Sequence, residues 1–226
     1  NSIKEYYQMR RPETADSNIL DLYIWLNCYP TWYFTNDKGL MWVAKSEDGQ
    51  YYSSIPCCKD EDLKECFLET QKYFNEVLQK KLVMYVVDRA AVDLLQLPED
   101  EYVVVPDRTY ADYVYDAEKL RTFSGKKYHK KKNHLNAFKR EYEGRYEFKF
   151  LSKKDEPEIL DFLEDWKKHK SDTEEHEFID SEAVGIKYIL EHEEVFDYKI
   201  GAVYVDNKLE AFTIGNYAVS YTHLTL

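Results

Sequence analysis

No apolar run in this 226-residue chain approaches about 18 residues, so no segment is expected to span a bilayer as a helix. The opening stretch, NSIKEYYQMRRPETADSN, has neither an apolar h-region nor a signal-peptide cleavage pattern, and it does not begin with Met. Cysteine is scarce. Cys28, Cys57, Cys58 and Cys66 make one adjacent pair and two lone residues, which fits neither a zinc-ligand spacing nor a secreted disulfide framework. They read as reduced thiols of a cytoplasmic protein. His176 and His192 stand among glutamates, in EEHEF and EHEE, yet neither completes HExxH or a Cys/His cluster. Both read as solvated helix histidines, and no metal is expected.

What the chain does contain is aromatic residues and charge. A hydrophobic fraction of 44%, with 21 tyrosines, describes a folded chain long enough for one large domain or two small ones. The formal net charge is −12, yet between Arg121 and Arg140 there are eight Lys or Arg residues and no acid. The rest of the chain then holds 23 basic residues against 43 acidic ones and stands at −20. Gathering like charge raises its electrostatic energy, and an acidic protein ordinarily disperses its cations. Two readings stay open: a solvated helix face paired with surface acids, or a site for a polyanion such as a phosphate-bearing ligand, an RNA end or a lipid headgroup.

The periodicities predict a helix from a cap at Asp16 or Ser17 to about Cys28, with Ile19, Leu22, Tyr23 and Leu26 on one face. Three short strands follow, Trp32–Thr35, Leu40–Ala44 and Tyr51–Ile55, joined by turns at Asn36-Asp37-Lys38-Gly39 and Glu47-Asp48-Gly49. A long helix is expected over Asp60–Leu78, a doubly covered strand over Leu82–Val87, a short helix near Arg89–Leu95, and strands at Tyr102–Val105 and Ala111–Tyr115. Ser124-Gly125 then opens a basic helix ending near Gly144, with Ser124 as N-cap and Tyr128, Leu135, Phe138 and Tyr142 as one apolar stripe. The second half reads as strand Tyr146–Leu151, helix Pro157–His169, an acidic stretch Lys170–Glu177, helix Ser181–His192, and strands Ile200–Val205 and Glu210–Gly215 around an Asp206-Asn207-Lys208 turn. Strand, helix, helix, strand, strand is the opening order of an acyltransferase fold of the GNAT type. The first half repeats that order without its first strand. The expected fold class is therefore α/β (α+β), with two GNAT-like subdomains at 1–123 and 145–226 and a basic junction helix at 124–144. The apolar stripe is expected to pack that helix at the junction.

Three segments together resemble a known family, the soluble relatives of the C-terminal domain of phosphatidylglycerol lysyltransferase: Ser17–Trp25 (SNILDLYIW), Ser124–Tyr142 (SGKKYHKKKNHLNAFKREY) and Glu210–Gly215 (EAFTIG). The most specific is Lys130-Lys131-Lys132-Asn133-His134-Leu135, similar to the family's K-K-R-N-x-[IL], with Lys132 where the family usually has Arg. A looser form marks the Fem-type peptidyltransferases. The resemblance covers residues about 16 to 215 and implies transfer of an aminoacyl group from aminoacyl-tRNA to an acceptor. After FTIG the family continues with a further strand and helix, whereas Asn216 stands in place of its Glu and the chain ends in AVSYTHLTL. A truncated second subdomain is expected, with Glu210–Gly215 as its last strand and an unpaired edge.

On this reading Lys126, Lys127, Lys130, Lys131, Lys132, Asn133 and Arg140 form the substrate-binding set, neutralising phosphates of aminoacyl-tRNA or another phosphate-bearing ligand. No cofactor is expected: IPCCKD, between the strands and the long helix, is no Gly-rich turn, and Pro56 removes one N–H donor that coenzyme A phosphates would need. No catalytic residue identifies itself. Glu182 reads as a surface carboxylate before it reads as a base, and Phe123 and Tyr128 read as core before they read as base-stacking platforms. The competing function is a non-catalytic RNA- or polyanion-binding protein that uses the same helix.

Overall fold

The computed structural model describes residues 3–10, 14–169, 176–217 and 222–225. It is a mixed α/β architecture with two antiparallel sheets, as expected. In the first sheet, β1 (Thr31–Thr35), β2 (Gly39–Lys45) and β3 (Tyr51–Tyr52) form a meander, and β4 (Cys57–Cys58) pairs with the start of β2. Asn36 sets the first turn: its side-chain oxygen accepts from the amides of Lys38 and Gly39, both at 2.8 Å. Six of the seven residues of β2 are buried because both of its faces are covered. One face meets α2 (Leu63–Tyr73) and α3 (Arg89–Leu95) through Met41, Leu63, Cys66, Phe67, Ala91 and Leu95. The other, Leu40 and Trp42, meets the N-terminal segment and α1 (Ile19–Trp25).

In the second sheet the order is β5 (Tyr146–Leu151), β6 (Tyr198–Val205), β7 (Lys208–Tyr217), β8 (Thr222–Thr225). Strand β5 falls on its expected residues. Helices α6 (Glu156–His169) and α7 (His176–Glu191) lie between β5 and β6 in the chain. Asp206 and Asn207 both have positive φ, +51° and +64°, the geometry that closes a two-residue hairpin loop. The Glu210–Gly215 strand is not the last of its sheet. Its far end, Ile214–Tyr217, pairs with β8. Most of the acidic stretch Lys170–Glu177 lies outside the described residues.

Helix α1 joins the two halves. It reads as apolar all round because it is covered on two sides. Leu22 packs toward the first sheet, Ile19 and Tyr23 touch both cores, and Leu20 and Ile24 enter the second with Ile159, Leu163, Ile186, Ile189 and Leu190. Tyr23 also stacks on Tyr188 of α7 at 5.1 Å. Of the expected single face, Leu26 is exposed, and the fully buried pair is Leu20 and Ile24. The cap is Asn18, whose side chain accepts from the Asp21 amide at 3.0 Å. Neither Asp16 nor Ser17 caps the helix. A first-half helix therefore completes the second-half core, so the packing crosses a division of the chain made by sequence position.

Three expected strands do not form. In Leu82–Val87 only Met84 bridges to Ser53, and Val86 is turned out of the ladder by φ +54°. Leu82, Met84 and Val87 still pack on the first core, which explains the apolar run. Tyr102–Val105 and Ala111–Tyr115 are extended but unpaired, with Val103 88% and Tyr113 89% exposed. β-Branched and aromatic content describes a side-chain surface; without a neighbouring strand it makes no ladder. Between them lies a 3₁₀ turn, Arg108–Tyr110, and after them α4 (Ala117–Thr122), each capped by an aspartate, Asp107 and Asp116.

Candidate functional site

The basic segment begins with Gly125 at φ +93°, a conformation a side chain would strain. A 3₁₀ turn, Lys126–Tyr128, leads into α5 (His129–Glu141), and Gly144 at φ +72° follows its end. Ser124 is not the cap; Gly125 holds that position, without a side-chain hydrogen bond. Lys126 and Lys127 sit in the turn, Lys130, Lys131, Lys132 and Asn133 in the first turns of α5, and Arg140 in its last. All seven are exposed, and among the described residues none of the six cations forms an ion pair. Lys127 lies over the Tyr128 ring at 5.0 Å. At a rise of 1.5 Å per residue, Lys130 and Arg140 are roughly 15 Å apart along the axis, and the turn of about 100° per residue fans the three consecutive lysines around the helix, so the cations cover most of its free surface. A shallow groove brings Asn133 and Arg140 together with His134, Asn136 and Lys139. The first turn carries three lysines and no acid, which opposes the helix dipole. An anion there relieves that repulsion.

The apolar stripe holds this helix less tightly than its spacing suggests. Tyr128 is buried, at 2% exposure, so it offers no stacking face. Leu135, Phe138 and Tyr142 are half-buried, and α5 contains no buried residue. Phe138 contacts Tyr142 at 5.0 Å and Tyr146 at 5.3 Å, which moors the helix to the start of β5. Four apolar residues cannot cover a helix whose other positions are cationic and amide-bearing.

The second feature is a cavity of about 810 Å³ between α1, the first sheet and the segment around Tyr85. Asp21, Leu22 and Trp25 reach it from α1, and Trp42, Ala44 and Tyr52 from the sheet. Asp16, Glu47 and Asp48 add negative charge to its lining. Arg10 also lines it, at 8% exposure, but this guanidinium is already committed to Asp60 at 3.1 Å and Asp88 at 2.7 Å. Among the described residues, no lysine lines the cavity. Trp42 is 7% exposed, and its Nε1 donor faces the Tyr7 hydroxyl and the Cys57 sulfur without a well-formed hydrogen bond to either. Cys57 lines the same wall, where burial pushes its thiol up to about 12. It stays protonated at neutral pH and is no nucleophile.

Burial drives the Asp21 carboxyl up to about 7, the nearby Asp16 and Asp112 charges add to this, and a hydrogen bond from Trp25 works against it. Asp16, though solvent-exposed, is also raised, first by partial desolvation at the cavity mouth and then by Asp112. The folded protein thus holds the Asp21 proton up to about pH 7, whereas the unfolded chain releases it near 3.8. Between those values the native state binds more protons, so this group makes stability fall as pH rises, with its full effect above pH 7. Asp21→Asn is expected to stabilise the protein by about 1–3 kcal/mol at pH 8 and to change little at pH 4. Urea melts of both proteins at the two pH values measure the difference; equal effects at both would contradict a protonated buried carboxyl.

Glu182 lies on α7 and does not line the cavity. His192 bonds the Tyr188 carbonyl at 2.8 Å and stacks on that ring, as a histidine on a helix surface does; the His176 side chain lies outside the described residues. Among the described residues no group of three or more His, Cys, Asp or Glu side chains is placed to hold a metal ion. No described helix is long and apolar enough to cross a membrane. The sequence reading missed the cavity because its parts are scattered from Tyr7 to Tyr110. One signal was present: Asp21 is a lone carboxylate inside ILDLYIW, a helix apolar on every side.

The family model described as "Phosphatidylglycerol lysyltransferase, C-terminal" matches residues 8–224, so most of the divergent-looking tail falls within the match. A crystal structure of a conserved protein of unknown function from Bacteroides thetaiotaomicron VPI-5482 superposes with a TM-score of 0.78 at 26% identity. It covers 95% of this chain and 71% of that one. An uncharacterized protein of Mycoplasmoides gallisepticum is 28% identical over 100 residues, 44% of this chain. The match spans about a third of that relative's length, 32%.

Proposed function

The chain belongs to the phosphatidylglycerol lysyltransferase C-terminal family, and from that premise we propose that it transfers an aminoacyl group from aminoacyl-tRNA to an acceptor. The family suggests aminoacyl transfer in general. The finer reading, with tRNA as donor and two GNAT-like subdomains meeting at the 124–144 helix, is supported by the β5-α6-α7-β6-β7 order and by one observation above all. That observation is the exposed cation cluster of Lys126–Arg140, without an ion pair among the described residues, in a protein that is otherwise strongly acidic.

The chemistry asks little of side chains. A nucleophilic amine or hydroxyl of the acceptor attacks the ester carbonyl carbon, a tetrahedral oxyanion forms, and the carbon–oxygen bond to the terminal ribose breaks. The nucleophile's proton leaves with the departing hydroxyl or to water. Positioning and charge stabilisation carry such a step. In this scheme the lysines of the turn and of α5 neutralise donor phosphates, Asn133 and Arg140 share the groove, and the cavity beside α1 is where the small reacting group sits.

Replacing Lys130, Lys131 and Lys132 together by Ala should weaken tRNA binding and lower the slope of log affinity against log salt by roughly two to three units, one for each lost phosphate contact. An unchanged slope removes this helix as the contact surface. Transfer itself is read by incubating the protein with a set of labelled aminoacyl-tRNAs and candidate acceptors. Release of label onto an acceptor supports the enzyme. A shift in tRNA mobility with the ester left intact supports the alternative, a non-catalytic RNA- or polyanion-binding protein.

A further inference from the structure

The geometry points to the cavity beside α1 as a binding site for a small molecule that carries an ammonium group next to a hydrogen-bond acceptor. As a binding site it stands on the cavity's own chemistry; its assignment to the reacting amine rests on the aminoacyl-transfer reading above.

Charge is the first argument. Asp16, Asp21, Glu47 and Asp48 line the cavity, and Asp112 adjoins Asp16 through a bond from the Ala15 amide to its carboxylate at 2.8 Å. Arg10, the one cation that lines it among the described residues, is held by Asp60 and Asp88 and leaves that lining negative. A cavity so lined repels a phosphate or carboxylate and attracts a cation. The walls are the second argument. Trp25, Tyr29, Trp42 and Tyr52 give π faces, which attract an ammonium that has left bulk water. The third is the Trp42 Nε1 donor, buried in the same wall beside the Tyr7 hydroxyl and the Cys57 sulfur, with no well-formed hydrogen bond to either. A buried donor met only in poor geometry is costly, and a carbonyl or ester oxygen of a ligand is a better acceptor for it than a thiol. Ammonium, acceptor oxygen and a short apolar group together describe an aminoacyl moiety, or an acceptor amine with a neighbouring carbonyl. At about 810 Å³ the space suits a whole small molecule.

The pH behaviour follows from the groups that face one another. Asp21 is held protonated by burial and by Asp16 and Asp112, so an arriving ammonium displaces its proton. An alkylammonium resembles a lysine side chain, with a pKa of about 10.4, and stays charged throughout. Its affinity should therefore rise about tenfold from pH 6 to pH 8 and level off above.

Three probes test this on the full chain, without tRNA, by quenching of the fluorescence of Trp25 and Trp42: phenethylamine, methyl 3-phenylpropanoate, which lacks the amine, and glycerol 3-phosphate. Phenethylamine is expected to bind at least tenfold more tightly than either of the others. Asp21→Asn should reduce that preference at least tenfold and abolish its pH dependence, and Asp16→Asn, at an exposed position, should reduce it less. L-phenylalanine methyl ester separates the two sources at pH 6. Tighter binding than phenethylamine identifies the aminoacyl donor, and equal or weaker binding identifies an acceptor amine. Equal binding of the amine-free ester, preferred binding of glycerol 3-phosphate, no measurable amine binding, or an unaltered preference in a folded Asp21→Asn protein would each overturn the site. Repeating the titration in the triple lysine variant keeps the two readings apart: lost tRNA binding with retained amine binding isolates the helix, and the reverse isolates the cavity.

Discussion

Arg10→Met is expected to destabilise the protein by about 3–5 kcal/mol, the range for stranding one member of a buried ion pair. Arg10 is 8% exposed and Asp88 4%. One Asp88 oxygen receives Arg10 Nη2 at 2.7 Å and the Ala91 amide at 2.8 Å, and the other has no partner among the described residues. Without the guanidinium, a carboxylate stays in the interior with a single backbone donor. Asp60, the exposed partner, should matter little: Asp60→Asn is expected to change stability by at most about 1 kcal/mol. The pair Arg10→Met with Asp88→Asn should recover most of the loss, because an amide keeps the cap on α3 and carries no charge. Urea melts at fixed pH compare the three variants with the wild type. A double variant as unstable as Arg10→Met would show that packing of the guanidinium stem, and not the stranded charge, was lost.

Gly185→Ala should lower stability by about 3 kcal/mol, at the upper end for overpacking. A Cβ at Gly185 would lie 2.3 Å from the Ile24 carbonyl oxygen, 2.5 Å from its Cα and 2.7 Å from its carbonyl carbon. All three are backbone atoms of α1, so no side-chain rotation relieves the contact and the helix itself must move. Alanine's helix propensity returns up to about 1 kcal/mol, too little to decide the sign. Displacing α1 would pull Leu20 and Ile24 from one core and shift Asp21 and Trp25 at the cavity. Amine binding should therefore weaken along with stability, although residue 185 lies in the other half of the chain. Gly201→Ala is the control. Its new Cβ would crowd the exposed Phe148 ring, at 3.1 Å, which swings aside, and meet the Thr213 methyl at an ordinary 3.8 Å, so a change below about 1 kcal/mol is expected. If Gly185→Ala melts with the wild type, the close approach of α1 and α7 is not tight in solution.

Elements whose signal is local were legible. Asp88 caps α3 and the helix runs over the expected Arg89–Leu95. Strand β5 covers Tyr146–Leu151, and Asp206-Asn207 turns β6 into β7. The cation cluster was visible as charge alone. Each rests on a few consecutive residues whose backbone preference and side-chain period agree. Val103–Val105 and Tyr113–Tyr115 carry the same kind of pattern and form no strand, because a strand exists only where a second one donates to it.

The sequence by itself determined the α/β class, most of the helices, the family resemblance and the concentration of positive charge on one helix, since these depend on period, capping and composition. Tertiary structure alone decided that α1 belongs to both cores and that the basic helix is moored by Phe138 while its cations find no ion-pair partner among the described residues. It also decided that Asp21, Trp25, Trp42 and Tyr52 face one cavity. The reason is distance along the chain. Ile24 meets Gly185, and Asp21 shares a wall with Trp42, only after the sheets have formed, and neither propensity nor hydrophobic period carries any record of a partner so far away.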